Sequence, residues 1–338
     1  AAAPRGAPSQ QHGRGGDAAP AAAKAGGGRK AAERPPVLLG QEGRHSGQEA
    51  RHPQQPKRQQ QGHAGGQPLS GQVWRLARDA NGCRIVQEAL QAAAGDDSRA
   101  VLAAELRGRV WPAMRHRHAN HVLQKCIVTM RPAELQFIVE ELCAKGREGV
   151  GRAARHAYGC RILQRLLEHC RSDQLETLID SLLFDTVALA KHVYGNFVIQ
   201  HLMEYGTPAQ QHRLICELVT STQELGRDIH SGAVVAKALS YGTQEDQHIL
   251  AAALVRAEGT ITSMARTRHG SLATKLVLQA IEGEEREEAL RQIQDELPAL
   301  TARRYGRAVV ASLRGSGMPS PCDDEAGEDS EAEAEAEA

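Results

Sequence analysis

The sequence predicts an all-α protein in which helical units stack side by side as a solenoid. Two observations carry that expectation. A helix-length segment with an apolar stripe and three fixed polar positions recurs along the chain, and its first polar position falls at residues 83, 120, 160 and 196, at steps of 37, 40 and 36. Steps of this size mark repeats that bury their apolar faces only against one another. The stripe also keeps its register to the polar positions in every copy, which an isolated surface helix has no reason to do.

Ordered structure is expected from about Gly71, where Gln72 to Ala77 reads as a short first helix, followed by the copy Asn81 to Leu90 and a third helix over 98–106. The second unit runs from about Arg109 to Gly146, the third from Val150 to Phe184, and the fourth from Asp185 to Thr220. Asp96-Asp97-Ser98, Arg131-Pro132-Ala133 and Ser172-Asp173 supply helix-start signals at matching places. The fourth unit is the clearest. Between Gly195 and Gly206, residues Val198, Ile199, Leu202 and Met203 make the apolar stripe, and the second glycine reads as the usual stop at a helix C-terminus. Asn196 and Gln200 lie one turn apart off that stripe with Phe197 beside them, so two amides and a ring share a polar face. Beyond Thr220 the units continue with varied positions at 232, 271 and 307, but the amide sites become Gly232 and Ala236, then Ser271 and Lys275, then Arg307 and Ala311. The fold is expected to persist there while the polar face is lost.

The four intact copies read Cys83-Arg84-x-x-Gln87, Asn120-His121-x-x-Gln124, Cys160-Arg161-x-x-Gln164 and Asn196-Phe197-x-x-Gln200. Their order and flanks resemble the third to sixth of the usual eight repeats of Pumilio-type (PUF) RNA-binding proteins. The likeness covers about residues 71–315 and is strongest up to about 220. It implies a curved right-handed α-solenoid of three-helix repeats whose middle helices each read one base of single-stranded RNA. By matching positions, Asn196 with Gln200 and Asn120 with Gln124 suit uracil, while Cys160 with Gln164 and Cys83 with Gln87 suit adenine. Arg84, His121, Arg161 and Phe197 would stack between bases. RNA runs antiparallel to the repeats in this family, so the expected core is 5′-UAUA-3′. The resemblance further implies a cytoplasmic monomer that acts on messenger RNA untranslated regions, with room for protein co-repressors on the convex face. Two other readings stay open: a divergent nucleolar member that binds ribosomal RNA by shape and charge, and a protein scaffold without RNA. Taken singly, Cys83, Cys160 or His121 is an ordinary helix residue. Repetition in register is what favours base contact.

Formal net charge is zero, but it is unevenly spread. Residues 1–70 carry ten Lys or Arg against four acids and read as a disordered low-complexity segment; residues 321–338 carry nine acids and no base, within a disordered tail from 316. The repeats lean only mildly positive. Aromatics are 3 %, so the core must pack on aliphatic side chains. Seven scattered cysteines suit a reduced intracellular protein better than a disulfide framework. His116, His118 and His121 cluster without a second ligand pair, so no zinc site is expected. No secretory signal, membrane-length apolar run, phosphate loop or nucleophile elbow is present, and neither an enzyme nor a cofactor is expected.

Overall fold

A computed structural model describes residues 69–314. The segments 1–68 and 315–338 lie outside the described residues, and with them the expectations of disorder at both ends. The described residues form twenty α-helices and one 3-10 turn, without a strand. Repeat one comprises α1 (Val73–Ala77), α2 (Gly82–Ala92) and α3 (Asp96–Ala104). Repeat two comprises α4 (Val110–Arg115), α5 (Ala119–Thr129) and α6 (Gln136–Cys143), and repeat three α7 (Gly146–Ala154), α8 (Gly159–His169) and α9 (Glu176–Phe184). Repeat four holds α10 (Thr186–Ala190), α11 (Gly195–Tyr205) and α12 (Pro208–Val219), and repeat five α13 (Thr222–Arg227), α14 (Ser231–Tyr241) and α15 (Gln244–Arg256). Repeat six holds α16 (Thr260–Ala265), α17 (Arg268–Ala280) and α18 (Gly283–Asp295); α19 (Leu297–Thr301) and α20 (Arg304–Arg314) follow as the start of a seventh.

The middle helices α2, α5, α8, α11, α14, α17 and α20 pack against one another in sequence, and the third helices from α6 to α18 do the same in a second layer. One aliphatic core runs between the layers. Val198, Ile199, Leu202 and Met203 are all fully buried in it, each contributing roughly 1.5–3 kcal/mol of transfer free energy. The short first helices lie across the start of the middle helices at very close range. A Cβ added to Gly195 would sit 2.8 Å from the Leu189 carbonyl oxygen, one on Gly82 would sit 2.5 Å from that of Leu76, and one on Gly159 would overlap the Ala153 carbonyl oxygen. The same register is filled by Ala119 in repeat two and by Ser231 in repeat five, whose hydroxyl donates to the Leu225 carbonyl at that contact. The first helices of repeats one and two are capped from their own third helices. The Glu105 carboxylate accepts from the Gly71 and Val73 N–H groups, and Glu141 accepts from Gly108 and Val110. Gly71 and Gly108 reach that geometry at φ values of +83° and +73°, where a side chain would be strained.

Several boundaries differ from the sequence reading. The third helix of repeat one spans 96–104 rather than 98–106. α7 begins at Gly146 rather than Val150, because Gly149 and Gly151 are buried against neighbouring elements, Gly149 facing Trp111, and packing overrides their poor helix propensity. Ser172 and Asp173 form a turn and α9 starts at Glu176. Gly206 closes α11 in extended backbone, φ −68° and ψ 160°, not in the left-handed stop; glycine fits there because a Cβ would lie 2.5 Å from the Leu202 carbonyl oxygen.

Replacing Gly159 by Ala should destabilise the chain by about 1–3 kcal/mol, the usual cost of overpacking a tight contact. The urea midpoint checks this; an unchanged midpoint would show that the crossing relaxes freely.

Candidate nucleic-acid interface

The middle helices of repeats one to six are each preceded by a turn that a side chain ties off. Three residues before the helix start, His116, His156 and His192 each present Nδ1 to two backbone N–H groups: His118 and Ala119, Tyr158 and Gly159, Tyr194 and Gly195, at 3.1–3.3 Å. Asp79 and Asp228 do the same with a carboxylate oxygen in repeats one and five, and in repeat six the Thr267 hydroxyl accepts from the Gly270 N–H alone. A histidine that accepts at Nδ1 is neutral and carries its proton on Nε2. Burial pushes all three histidines below their ordinary 6.5, and nearby cations push the same way: His118, Arg78 and Arg117 on His116, Arg115 on His156, Arg155 and His230 on His192. The sequence reading weighed His116 only as a metal ligand. The recurrence of His or Asp at this register in repeats one to five is a signal that the sequence carries.

The residue after the helix start is buried in all four intact repeats and holds the same turn. Cys83 and Cys160 each place Sγ 3.3 Å from a turn carbonyl, of Ala80 and Ala157. Asn120 donates Nδ2–H to the His116 carbonyl at 2.8 Å, and Asn196 donates to those of His192 and Val193 at 2.8 and 3.0 Å. Both asparagines are buried, with Nδ2 turned to the turn carbonyls and Oδ1 turned to the glutamine one turn on. One turn on, the glutamines form the next level. Gln124 and Gln200 donate Nε2–H to Asn120 and Asn196 Oδ1 at 3.0 and 2.9 Å, which leaves their carbonyl oxygens without a partner. Gln87 donates to the Cys83 carbonyl at 3.1 Å. Gln164 accepts from Arg161 Nη1 at 3.3 Å, while its own Nε2 is buried with no hydrogen-bond partner, an arrangement a protein normally avoids.

Arg84, His121, Arg161 and Phe197 are exposed beside this row. The Arg161 guanidinium lies over the Phe197 ring at 5.7 Å. Two ordinary contact layers need about 7 Å, so a base entering between them would part the pair slightly. A further row, unnoticed in the sequence, joins consecutive middle helices on their C-terminal side: Lys125 Nζ to Gln91 Oε1 at 2.5 Å, His201 to Glu168 at 2.9 Å, Lys237 to Glu204 at 2.8 Å. Beyond repeat four the face changes. Gly232 and Ala236 are buried, Ser271 turns its hydroxyl to the Arg268 carbonyl, and α14 and α17 meet backbone to backbone, a Cβ on Gly232 lying 2.6 Å from Gly270 N. Lys275 is half-buried, Arg307 is exposed and donates to the Thr301 carbonyl, and Ala311 is exposed. Among the described residues no group of His, Cys, Asp and Glu is placed to hold a metal, and no helix is long and apolar enough to cross a membrane.

Stacked three-helix units that present one row of polar side chains define a helical-repeat solenoid. The family model described as the Pumilio-family RNA binding repeat matches residues 72–106, 114–143, 154–183 and 185–219. Over those residues the chain is similar to the Pumilio (PUF) family. It is 31% identical over 88 residues to Pumilio homology domain family member 4 of Saccharomyces cerevisiae, over 26% of this chain and 10% of that protein. To a Pumilio domain-containing protein of Schizosaccharomyces pombe it is 25% identical over 103 residues, 30% of this chain and 14% of that one. The matches thus span a small part of those relatives. Among solved structures, PUF-8 in complex with PBE-RNA aligns at a TM-score of 0.65 and 23% identity over 73% of this chain and 72% of that one. The Puf4 RNA binding domain bound to an HO endonuclease RNA 3′ UTR site aligns at 0.63 and 20% identity, over 72% and 77%. These likenesses establish the α-solenoid fold.

Because the three capping histidines must be neutral in the folded chain, the unfolded chain takes up protons first as pH falls below about 6.5, and stability is lost across that window. The urea midpoint should be lower at pH 5 than at pH 7.5, and His192→Asp, which copies Asp79 and Asp228, should narrow the difference. An equal midpoint at both pH values in the unaltered chain would contradict the capping role.

Proposed function

We propose that repeats one to four bind single-stranded RNA, one base per repeat, with the core 5′-UAUA-3′, and that the protein regulates messenger RNA in the cytoplasm as a monomer, with co-repressors on the opposite face. The observation that carries the reading is the row of four glutamines in one register on consecutive middle helices, with amide groups left unpaired: the carbonyl oxygens of Gln124 and Gln200, and the buried Nε2 of Gln164. A carbonyl oxygen suits the N3–H of uracil. An amide that offers one donor and one acceptor suits the edge of adenine. Stacking on Arg84, His121, Arg161 and Phe197 adds about 1–3 kcal/mol per base. The related PUF domains solved with RNA support the same use of the fold. A second reading, binding of structured ribosomal RNA in the nucleolus by charge, draws on repeats five to seven, where Lys275 and Arg307 stand in place of amides.

Fluorescence polarisation with 10-mers should show tighter binding to a UAUA-containing strand than to a scrambled one; equal binding supports the second reading, and none a protein scaffold. Asn196→Ser combined with Gln200→Glu, the pair that favours guanine in this family, should move preference from U to G at one position only, and unchanged preference there would falsify the base assignment. Gln87→Ala should weaken binding by about 1–3 kcal/mol.

A further inference from the structure

The layer of third helices holds three side chains that RNA reading does not use. Cys216 and His212 lie one turn apart on α12, with Cys216 Sγ 3.6 Å from His212 Nε2. Nδ1 of the same ring is 2.6 Å from Oδ1 of Asp246, which comes from α15 of the next repeat. Asp246 is buried and doubly fixed: it accepts from the Thr243 hydroxyl at 2.7 Å, and its own N–H donates to that hydroxyl at 3.1 Å. Burial opposes its charge, but the hydrogen bonds from His212 and Thr243 outweigh burial and hold its pKa below the usual carboxylate range. A carboxylate on Nδ1–H leaves the Nε2 lone pair facing the thiol. Nucleophile, base and a third group that orients the base are the parts of an activated thiol.

The other described cysteines differ in kind. Cys216 is exposed, whereas Cys83, Cys126 and Cys160 are buried and Cys143 and Cys170 partly so. Burial pushes the Cys126 thiol to about 12 and that of Cys170 to about 11, and raises those of Cys143 and Cys160, which keeps all four protonated and inert.

We propose that Cys216 is a site of oxidation by hydroperoxides, with His212 as its base and Asp246 holding the ring. His212 Nε2 takes the thiol proton, and the sulfur attacks one peroxide oxygen. The O–O bond breaks, and the departing oxygen takes the proton back from the imidazolium. Sulfur is oxidised to sulfenic acid while hydrogen peroxide is reduced to water.

The full chain treated with hydrogen peroxide and dimedone, then mapped by peptide mass spectrometry, tests this. The adduct at Cys216 should form at least ten times faster than at Cys170 or at Cys322, which lies outside the described residues. His212→Gln should bring the Cys216 rate to within about twofold of Cys322. The His212 side chain is 58% exposed, so this variant should keep its helical circular dichroism. Equal rates at Cys216 and Cys322 in the unaltered chain, or an undiminished Cys216 rate in the variant, would overturn the proposal.

Discussion

The crossing of each first helix over the start of its middle helix is the contact on which the rest depends. A carbonyl oxygen of the first helix sits where a Cβ would otherwise be, so Gly stands at the crossing in repeats one, three, four, six and seven. In repeats one to four the next residue is a short side chain buried beside the crossing, where its polar atoms need local partners. Cys83, Asn120, Cys160 and Asn196 find them by bonding the turn they follow. The glutamine one turn later is then supported from below, with polar capacity left over. A base-sized polar row is thus a consequence of close helix packing.

The turn that feeds the crossing has three chemical solutions. Imidazole, carboxylate and hydroxyl oxygen or nitrogen acceptors all collect the free N–H groups at a middle-helix start. The solutions are equivalent in geometry but not in chemistry, since only imidazole loses its acceptor near neutral pH. Backbone demand fixes the position, and the residue type sets the conditions under which it holds.

Fold and polar face part company after repeat four. The aliphatic stripe of α14 and α17 is intact, yet Gly232 and Gly270 let the two helices touch backbone to backbone where earlier repeats keep side chains between them. Loss of the amides and closure of the gap reinforce each other, because small residues remove both the hydrogen-bonding groups and the spacers. The Cys216–His212–Asp246 group sits in the other layer, built on α12 and α15, where the packing of successive third helices sets the geometry.

The sequence by itself determined the repeat, the stripe and the register of Cys83, Gln87 and their counterparts, because helical period is a local property written in every copy. It also located Arg84, His121, Arg161 and Phe197 beside that row. Tertiary structure alone decided that Asn120 and Asn196 are buried, that His116 is a cap, that α7 starts at Gly146, and that Gly206 is extended. It alone brought Asp246 to His212 across 34 residues of chain. Each of these rests on which carbonyl, N–H or side chain from another element arrives at the position. Spacing along a helix carries no record of such arrivals; they are set by how closely successive layers can approach once their apolar stripes are buried.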